Sequence, residues 1–351
     1  MFSYSITLPV AWGLASLCGS WGLGFWMRRL LADRGLLDRP NARSSHTVPT
    51  VRGGGLGIVI MALLGIGAAW SAKPAIGSLV LMGAISGIAA ISFWDDLQSM
   101  DWRIRLAVHS LAAIVVGLTL GWTGLSALPA WQAVVAGGLI LLFLTGYANA
   151  FNFMDGINGI AASQATITGI GTMMIAMLAG VPASHPAITA AVVIAGSAAG
   201  FLPHNFPKAR MFMGDVGSVT LGFALGALAI WVAADYGWWL LLPLGLLHAN
   251  FVLDTGITVL KRMLRGDPFH QSHREHFYQR FVRGNQSHTR VTLTEMALQG
   301  VVLGLLAMYV RGNTLARWAI VAAVIIIWLA FFAWGARCIR RAATEQSQAP
   351  V

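Results

Sequence analysis

Charge is what this chain lacks most. Only 10% of its 351 residues are Asp, Glu, Lys or Arg, against about 25% in an average soluble protein. With so few charges the chain cannot form the polar surface of a soluble domain, and that class is excluded. Cysteine is nearly absent as well. Cys18 and Cys338 fall in the first and last hydrophobic segments and offer neither a disulfide framework nor a cysteine-based metal site. The N-terminus has no basic n-region, and Arg28 and Arg29 follow the first apolar run instead of preceding it. Residues 4–27 therefore read as a first span, not a cleaved signal. No sharp internal repeat and no low-complexity segment is present.

What remains is apolar. Hydrophobic residues make up 57% and mean hydropathy is +0.70, so an all-α polytopic membrane protein is expected. With about 20 apolar residues per span as the ruler, eleven spans fit. They lie at 4–27, 53–71, 76–94, 106–121, 131–150, 163–180, 186–203, 218–234, 238–259, 294–310 and 316–336. The connections alternate between short apolar ones and longer polar ones at 28–52, 95–105, 151–162, 204–217 and 260–293. The polar connections and the C-terminal segment hold 20 of the Lys and Arg residues, and the other side only Lys73, Arg311 and Arg317. By the positive-inside rule the polar loops and the C-terminus face the cytoplasm and the N-terminus faces the periplasm. One membrane domain, 1–341, is expected, with 342–351 a short frayed cytoplasmic tail.

The candidate chemistry lies on that polar side. The stretch Asn149–Ala162 carries Asn149, Asn152, Asp155 and Asn158 at three-residue steps, which on a helix gives one slowly drifting polar face. Such a ridge at the end of a span calls for water, a metal or a ligand. Asp95 and Asp96 are adjacent carboxylates at a membrane edge and call for a cation; a divalent metal on a phosphorylated substrate would supply one. Phe212–Ser218 sets Asp215 between Gly214 and Gly217 with Lys208 and Arg210 close by. That combination fits Mg²⁺ with a diphosphate, and Ser218 is placed to cap the following helix. Arg52 and Gly53–Gly55 open the second span after a segment containing His46, and a glycine run at a helix start can bind phosphate. The 267–281 segment concentrates His270, His273, Arg274, His276 and Arg280. His273 and His276 have a zinc-like spacing, but without a nearby cysteine and in so basic a setting phosphate binding fits better. Asp254, inside the ninth span, is expected to pair with a loop arginine, and His248 and Asn250 to make satisfied core contacts.

In this order Pro-Thr-Val-Arg-Gly-Gly-Gly, Asp95-Asp96, Asn-Phe-Met-Asp-Gly-Ile-Asn-Gly and Phe-Met-Gly-Asp-Val-Gly-Ser resemble the polyprenyl-phosphate N-acetylhexosamine-1-phosphate transferases. The eleven-span layout also resembles the O-antigen-initiating members. The resemblance implies a reaction at the bacterial cytoplasmic (inner) membrane. A UDP-N-acetylhexosamine gives its sugar-1-phosphate to undecaprenyl phosphate, UMP leaves, and O-antigen or a related surface polysaccharide begins. It implies Mg²⁺, or Mn²⁺ in its place, on Asp215 with Asn152 as second ligand. It gives Asp95 and Asp96 to catalysis or to orienting the acceptor phosphate, and Asp155 and Asn158 to the nucleotide pocket. His273, Arg274 and His276 match the loop that holds the donor, with His46, Arg52, Lys208 and Arg280 as further substrate contacts. Many members have Asp where this chain has Asn158. The His-x-His-His cluster of many members is here reduced to its first histidine, His276, which argues against the muramyl-pentapeptide branch. Membrane lipids and the two substrates are the expected partners. A homodimer is compatible with the sequence, and no nucleic acid is expected. A transporter or flippase of lipid-linked or anionic substrates is the alternative, but transporters collect polar groups near the bilayer midplane.

Overall fold

A computed structural model describes residues 6–40, 48–98, 100–267 and 275–348. The chain is helical almost throughout, as lipid demands: with no water to satisfy backbone groups, a span must satisfy them internally. In chain order the first elements are α1 (Thr7–Asp33), β1 (Leu37–Asp38), β2 (Thr50–Val51), α2 (Gly55–Ala72) and α3 (Ile76–Leu97). Then come α4 (Trp102–Thr119), α5 (Trp122–Leu125), α6 (Ala130–Met154), α7 (Ile160–Leu178), α8 (Pro186–Asn205) and α9 (Asp215–Tyr236). A 3₁₀ turn (Trp238–Leu240) leads to α10 (Leu241–Leu246) and α11 (Ala249–Leu264), and α12 (Phe277–Arg283), α13 (His288–Arg311) and α14 (Thr314–Gln348) complete the chain. Among the described residues ten helices are long and apolar enough to cross a membrane, and the pair Trp238–Leu246 and Ala249–Leu264, bent by 78°, passes the same measure when taken as one segment. Ten of the eleven expected spans are helices of that kind, and the expected ninth is the bent pair, which counts as a span only if its two halves are taken together.

The centre of the bundle is α9, whose spanning stretch is buried along its whole length. Its glycines let neighbours approach: a Cβ at Gly222 would meet Phe151 of α6 at 2.5 Å, and one at Gly55 of α2 would meet the backbone of Gly217 at 2.3 Å. Close backbone approach through small residues is the usual way for helices to pack in lipid, where the hydrophobic effect cannot drive helix against helix. Outward-facing Leu14, Val134, Leu142 and Ile326 form part of the lipid-facing surface.

Several boundaries differ from expectation in a way that matters. Asp95 and Asp96 lie in the last turn of α3, not after it. Helix α6 runs on through Asn152 to Met154, so Asn149 and Asn152 are helical, Asp155 is its C-cap, and Asn158 lies in the turn before Gly159. The polar ridge therefore stops after its second residue. At the C-terminus α14 continues to Gln348, so 342–348 is helix, not a frayed end; nothing in the apolar count of the span could reveal that extension.

Candidate active site

At the end of the bundle that gathers the polar loops, four aspartates and two arginines meet. The 50–55 segment and the 211–217 segment are stitched together first. Val51 pairs with Met211, Phe212 N–H donates to the Val51 carbonyl at 2.7 Å, and Gly54 and Gly55 donate to the carbonyls of Phe212 and Met213 at 2.9 and 2.8 Å. These bonds carry Arg52 to the N-terminus of α9. Gly214 precedes that helix at φ +74°, and a Cβ on it would lie 2.6 Å from Asp96 Oδ2. Glycine is required here by both the backbone conformation and the space.

Asp96 closes the start of α9. Its carboxylate accepts the Asp215 N–H at 3.1 Å and the Val216 N–H at 3.0 Å, and Arg52 Nη2 reaches its Oδ1 at 2.8 Å. Two free N–H groups and the positive end of the helix dipole make this a favourable seat for a carboxylate. The cap expected of Ser218 is thus made by Asp96. Ser218 Oγ donates to Asn152 Oδ1 at 3.0 Å and to the Gly214 carbonyl at 3.1 Å.

Asp215 is the hub. Arg52 Nη2 meets its Oδ1 at 2.8 Å, while Asn152 Nδ2 and Arg105 Nη1 meet its Oδ2 at 3.2 and 3.5 Å. Arg105, on the first turn of α4, also holds Asp95 Oδ2, and the Met100 N–H donates to Asp95 Oδ1 at 2.8 Å. Asp215 and Asp95 are 14% and 11% exposed and Asp96 only 4%, so the first two are the carboxylates a ligand can reach. Asp155 is half-buried, and among the described residues its side chain has no hydrogen-bond or ion-pair partner. Burial and then the neighbouring Asp215 carboxylate push it well above the usual carboxylate range, with Arg52 opposing. For Arg52, burial is the largest influence and lowers its pKa, but Asp215 and Asp96 together raise it above the ordinary value.

Four carboxylates against two guanidiniums leave the cluster short of positive charge, and an added cation would be welcome there. Among the described residues no three His, Cys, Asp or Glu side chains form a metal-binding group, because the arginines stand between the aspartates. The donor chemistry nevertheless suits one oxygen-loving cation: Asp215 offers carboxylate oxygens and Asn152, 3.2 Å from it, an amide, with the Asp155 carboxyl near enough to feel the Asp215 charge. As placed, Asn152 turns its nitrogen toward Asp215. Rotating the amide by 180° would present its oxygen and give its N–H₂ to Ser218 Oγ, which can accept.

The other expected residues fall elsewhere. Asn158 Nδ2 donates to the Pro207 carbonyl at 3.0 Å, its carbonyl accepts from Thr292 Oγ1 at 2.8 Å, and the adjoining Gly159 N–H donates to Asn205 Oδ1 at 2.6 Å. It ties the 155–159 turn to the 204–211 loop and to α13. Asn149 donates to the Thr145 carbonyl of its own helix at 2.8 Å. Lys208 is exposed. His276 is 2% exposed and sits 3.1 Å from Asp254 Oδ1, while Phe277 N–H and Tyr278 N–H donate to the Asp254 carboxylate at 2.9 and 3.2 Å. Asp254 thus seats α12 through His276 and two amides, where a loop arginine had been expected. Asn250 bonds Gln164 and Glu295 at 2.9 and 3.3 Å, but among the described residues both buried ring nitrogens of His248 have no hydrogen-bond partner, so that contact is not the satisfied one expected. Arg280 lies 5.9 Å from the Phe277 ring, with no contact to the aspartate cluster among the described residues. His46, His273 and Arg274 lie outside the described residues. Arg105 is the residue that sequence reasoning missed; the unbalanced Asp95-Asp96 pair was the signal for it, since a basic residue in the same loop is the nearest available counter-charge.

The aspartate cluster invites comparison with known proteins. Residues 78–233 match the model of glycosyl transferase family 4, the stretch from α3 to α9 that holds all four aspartates. The decaprenyl-phosphate N-acetylglucosaminephosphotransferase of Mycobacterium tuberculosis (strain ATCC 25618 / H37Rv) is 30% identical over 311 residues, covering 78% of this chain and 76% of the relative. The chain belongs to the polyprenyl-phosphate N-acetylhexosamine-1-phosphate transferase superfamily. Within that superfamily the probable undecaprenyl-phosphate N-acetylglucosaminyl 1-phosphate transferase of Bacillus subtilis (strain 168) is 25% identical over 88% of this chain and 86% of its own. The phospho-N-acetylmuramoyl-pentapeptide-transferase of Moorella thermoacetica is 29% identical over 73% of this chain and 70% of its own. Membership makes this chain a multi-pass membrane transferase whose relatives join sugar phosphates to polyprenyl phosphates.

Proposed function

We propose that this protein transfers N-acetylhexosamine-1-phosphate from a UDP-sugar to undecaprenyl phosphate at the cytoplasmic face of a bacterial inner membrane. The product begins O-antigen or a related surface polysaccharide. The observation that carries the reading is the cluster of Asp95, Asp96 and Asp215 bridged by Arg52 and Arg105 at one end of the bundle, with Asp155 beside it. A donor diphosphate would take over the two guanidiniums and leave the aspartates free for a divalent cation, so both ligands find partners at once. Mg²⁺, or Mn²⁺, bound there would neutralise charge on the diphosphate.

The acceptor is a phosphate monoester with a second pKa near 6, so at neutral pH it is mostly a dianion and needs little help from a base. One of its oxygens attacks the β-phosphorus of the donor. The new P–O bond forms as the bond from that phosphorus to the bridging oxygen breaks, and UMP leaves with the electron pair. Positioning and charge neutralisation dominate such a step. A covalent aspartyl intermediate is less suited to this arrangement. Asp96 is tied by two amides and Arg52, and Asp95 by an amide and Arg105.

The test is UMP release by the purified chain with undecaprenyl phosphate, Mg²⁺ and a panel of UDP-N-acetylhexosamines. One donor should be turned over, and Asp215→Asn should lose about 10²–10³-fold in rate, the range for removing one group that stabilises transition-state charge. Unchanged activity in Asp215→Asn would sink the assignment, and a labelled phospho-enzyme formed from donor alone would overturn direct attack.

A further inference from the structure

On the side of α12 away from the aspartates there is a second, strongly basic recess of about 210 Å³. Helix α12 has two unlike faces. Tyr278 turns inward, its hydroxyl donating to the Phe153 carbonyl at the end of α6 at 2.8 Å. Phe277 turns the other way and stacks on Phe332 of α14 with ring centroids 4.6 Å apart. Lys261 of α11 and Arg280 lie 5.1 and 5.9 Å from the Phe277 ring, and Arg265 and Arg283 complete the basic lining. Four cations thus line the recess with one carboxylate, Glu275, and Arg265 is also paired with Asp267 at 3.0 Å at its edge. Glu275 is already engaged, by Arg262 at 2.7 Å and by Arg265. Among the described residues no carboxylate pairs with Lys261, Arg280 or Arg283, so the recess has a standing surplus of positive charge.

Its surroundings say what kind of anion fits. On the same last two turns of α11, Leu260, Met263 and Leu264 are 57%, 58% and 80% exposed. Exposed apolar side chains at the end of a membrane-protein helix suit contact with lipid, and the basic recess lies directly beside them. A free anion has no use for the leucines, whereas a phospholipid uses both features, its phosphate among the cations and its chains along Leu260, Met263 and Leu264.

We propose that the recess between α11 and α12 binds the phosphate of an anionic glycerophospholipid from the adjoining leaflet. Arg265 and Glu275 frame the entrance, and Lys261, Arg280 and Arg283 supply the charge. The site stands apart from the aspartate cluster and does not depend on the function proposed for that cluster. Because α12 is seated on Asp254 through His276 and two backbone amides, a lipid in the recess would hold α11 and α12 together and firm that seat.

The experiment is thermal melting of the full chain in a neutral detergent with three probes: short-chain phosphatidylglycerol, short-chain phosphatidylcholine and inorganic phosphate. Phosphatidylglycerol should raise Tm, and the other two should not at equal concentration. Lys261→Gln with Arg283→Gln should weaken the phosphatidylglycerol response about thirty-fold, from roughly 1 kcal/mol per cation removed near an anionic surface. The KM for the UDP-sugar should stay unchanged. Arg283→Gln alone, at an exposed position, serves if the double variant folds poorly, and it should shift the response about five-fold. A phosphatidylglycerol response that survives both substitutions overturns the proposal. So does an equal response to inorganic phosphate, which would make this a free-phosphate site, and so does a raised KM for the UDP-sugar, which would make the recess part of the donor site.

Discussion

Replacing Asp96 by Asn separates a residue that builds the site from one that works in it. Asp96 is 4% exposed and accepts from the first two amides of α9, at 3.1 and 3.0 Å. An amide side chain keeps one acceptor oxygen and turns an N–H₂ group toward the second donor or toward Arg52. One buried N–H is then left without a partner, at a cost of about 1–3 kcal/mol, and the attraction of a full charge to the helix start is lost, about 0.5–1 kcal/mol more. The Arg52 contact adds little, because Arg52 is 38% exposed and keeps Asp215 at 2.8 Å, so water screens it. The expected loss is about 2–3 kcal/mol. Asp215→Asn should behave oppositely. It removes one carboxylate from a crowded group of four and relieves the repulsion it exerts on Asp155, so stability should hold or rise while UMP release collapses, as is common where function holds like charges together. The assay is a thermal melt of each detergent-purified variant alongside UMP release. If Asp96→Asn melts with the native chain and Asp215→Asn melts well below it, the division of labour between the two aspartates is wrong.

Four further outcomes follow from other parts of the molecule. Gly214→Ala should lower Tm and abolish UMP release, since its Cβ would fall 2.6 Å from Asp96 Oδ2 at φ +74°; a native-like melt would refute the strained-turn reading. Arg105→Gln should raise the KM for the UDP-sugar about ten-fold or more while the melt shifts little, because Arg105 is 32% exposed and bridges Asp95 and Asp215; an unchanged KM in steady-state UMP release would remove it from the site. Asn158→Asp should cost about 1–2 kcal/mol, seen as a lower Tm, because a carboxylate cannot donate to the Pro207 carbonyl. At the opposite end of the bundle, burial lowers the pKa of His185 below its ordinary value despite the Asp235 carboxylate 3.1 Å away. The unfolded chain therefore binds the extra proton first, so stability is full above about pH 6.5 and falls as the pH drops toward the folded pKa; melts from pH 7.5 to 5 should show this slope, and His185→Gln should flatten it.

Arg105 and Asn158 show where sequence reading stops. Arg105 is one basic residue among many in the polar loops, and only the approach of α4 to the start of α9 turns it into a partner of two aspartates. Asn158 continues a three-residue pattern that is real on paper, yet α6 ends at Met154 and the turn at Gly159 sends Asn158 toward Pro207. His276 looked like a donor contact from its basic neighbours, and burial against Asp254 makes it a support for α12.

The sequence by itself determined the membrane class, the approximate places of the spans, the gathering of the polar loops and the family. Each of these depends on local hydrophobicity, on charge counted loop by loop, or on contiguous motifs, and none needs contacts between distant residues. Tertiary structure alone decided that Asp96 caps α9, that Arg52 and Arg105 hold the aspartates, that the ninth span breaks by 78°, and that a basic recess forms behind α12. The meetings of Asp96, Arg52 and Arg105 with the start of α9 join side chains more than a hundred residues apart, and the recess and the bend depend on how helices pack, so the free energy of these features is written in no single motif of the chain.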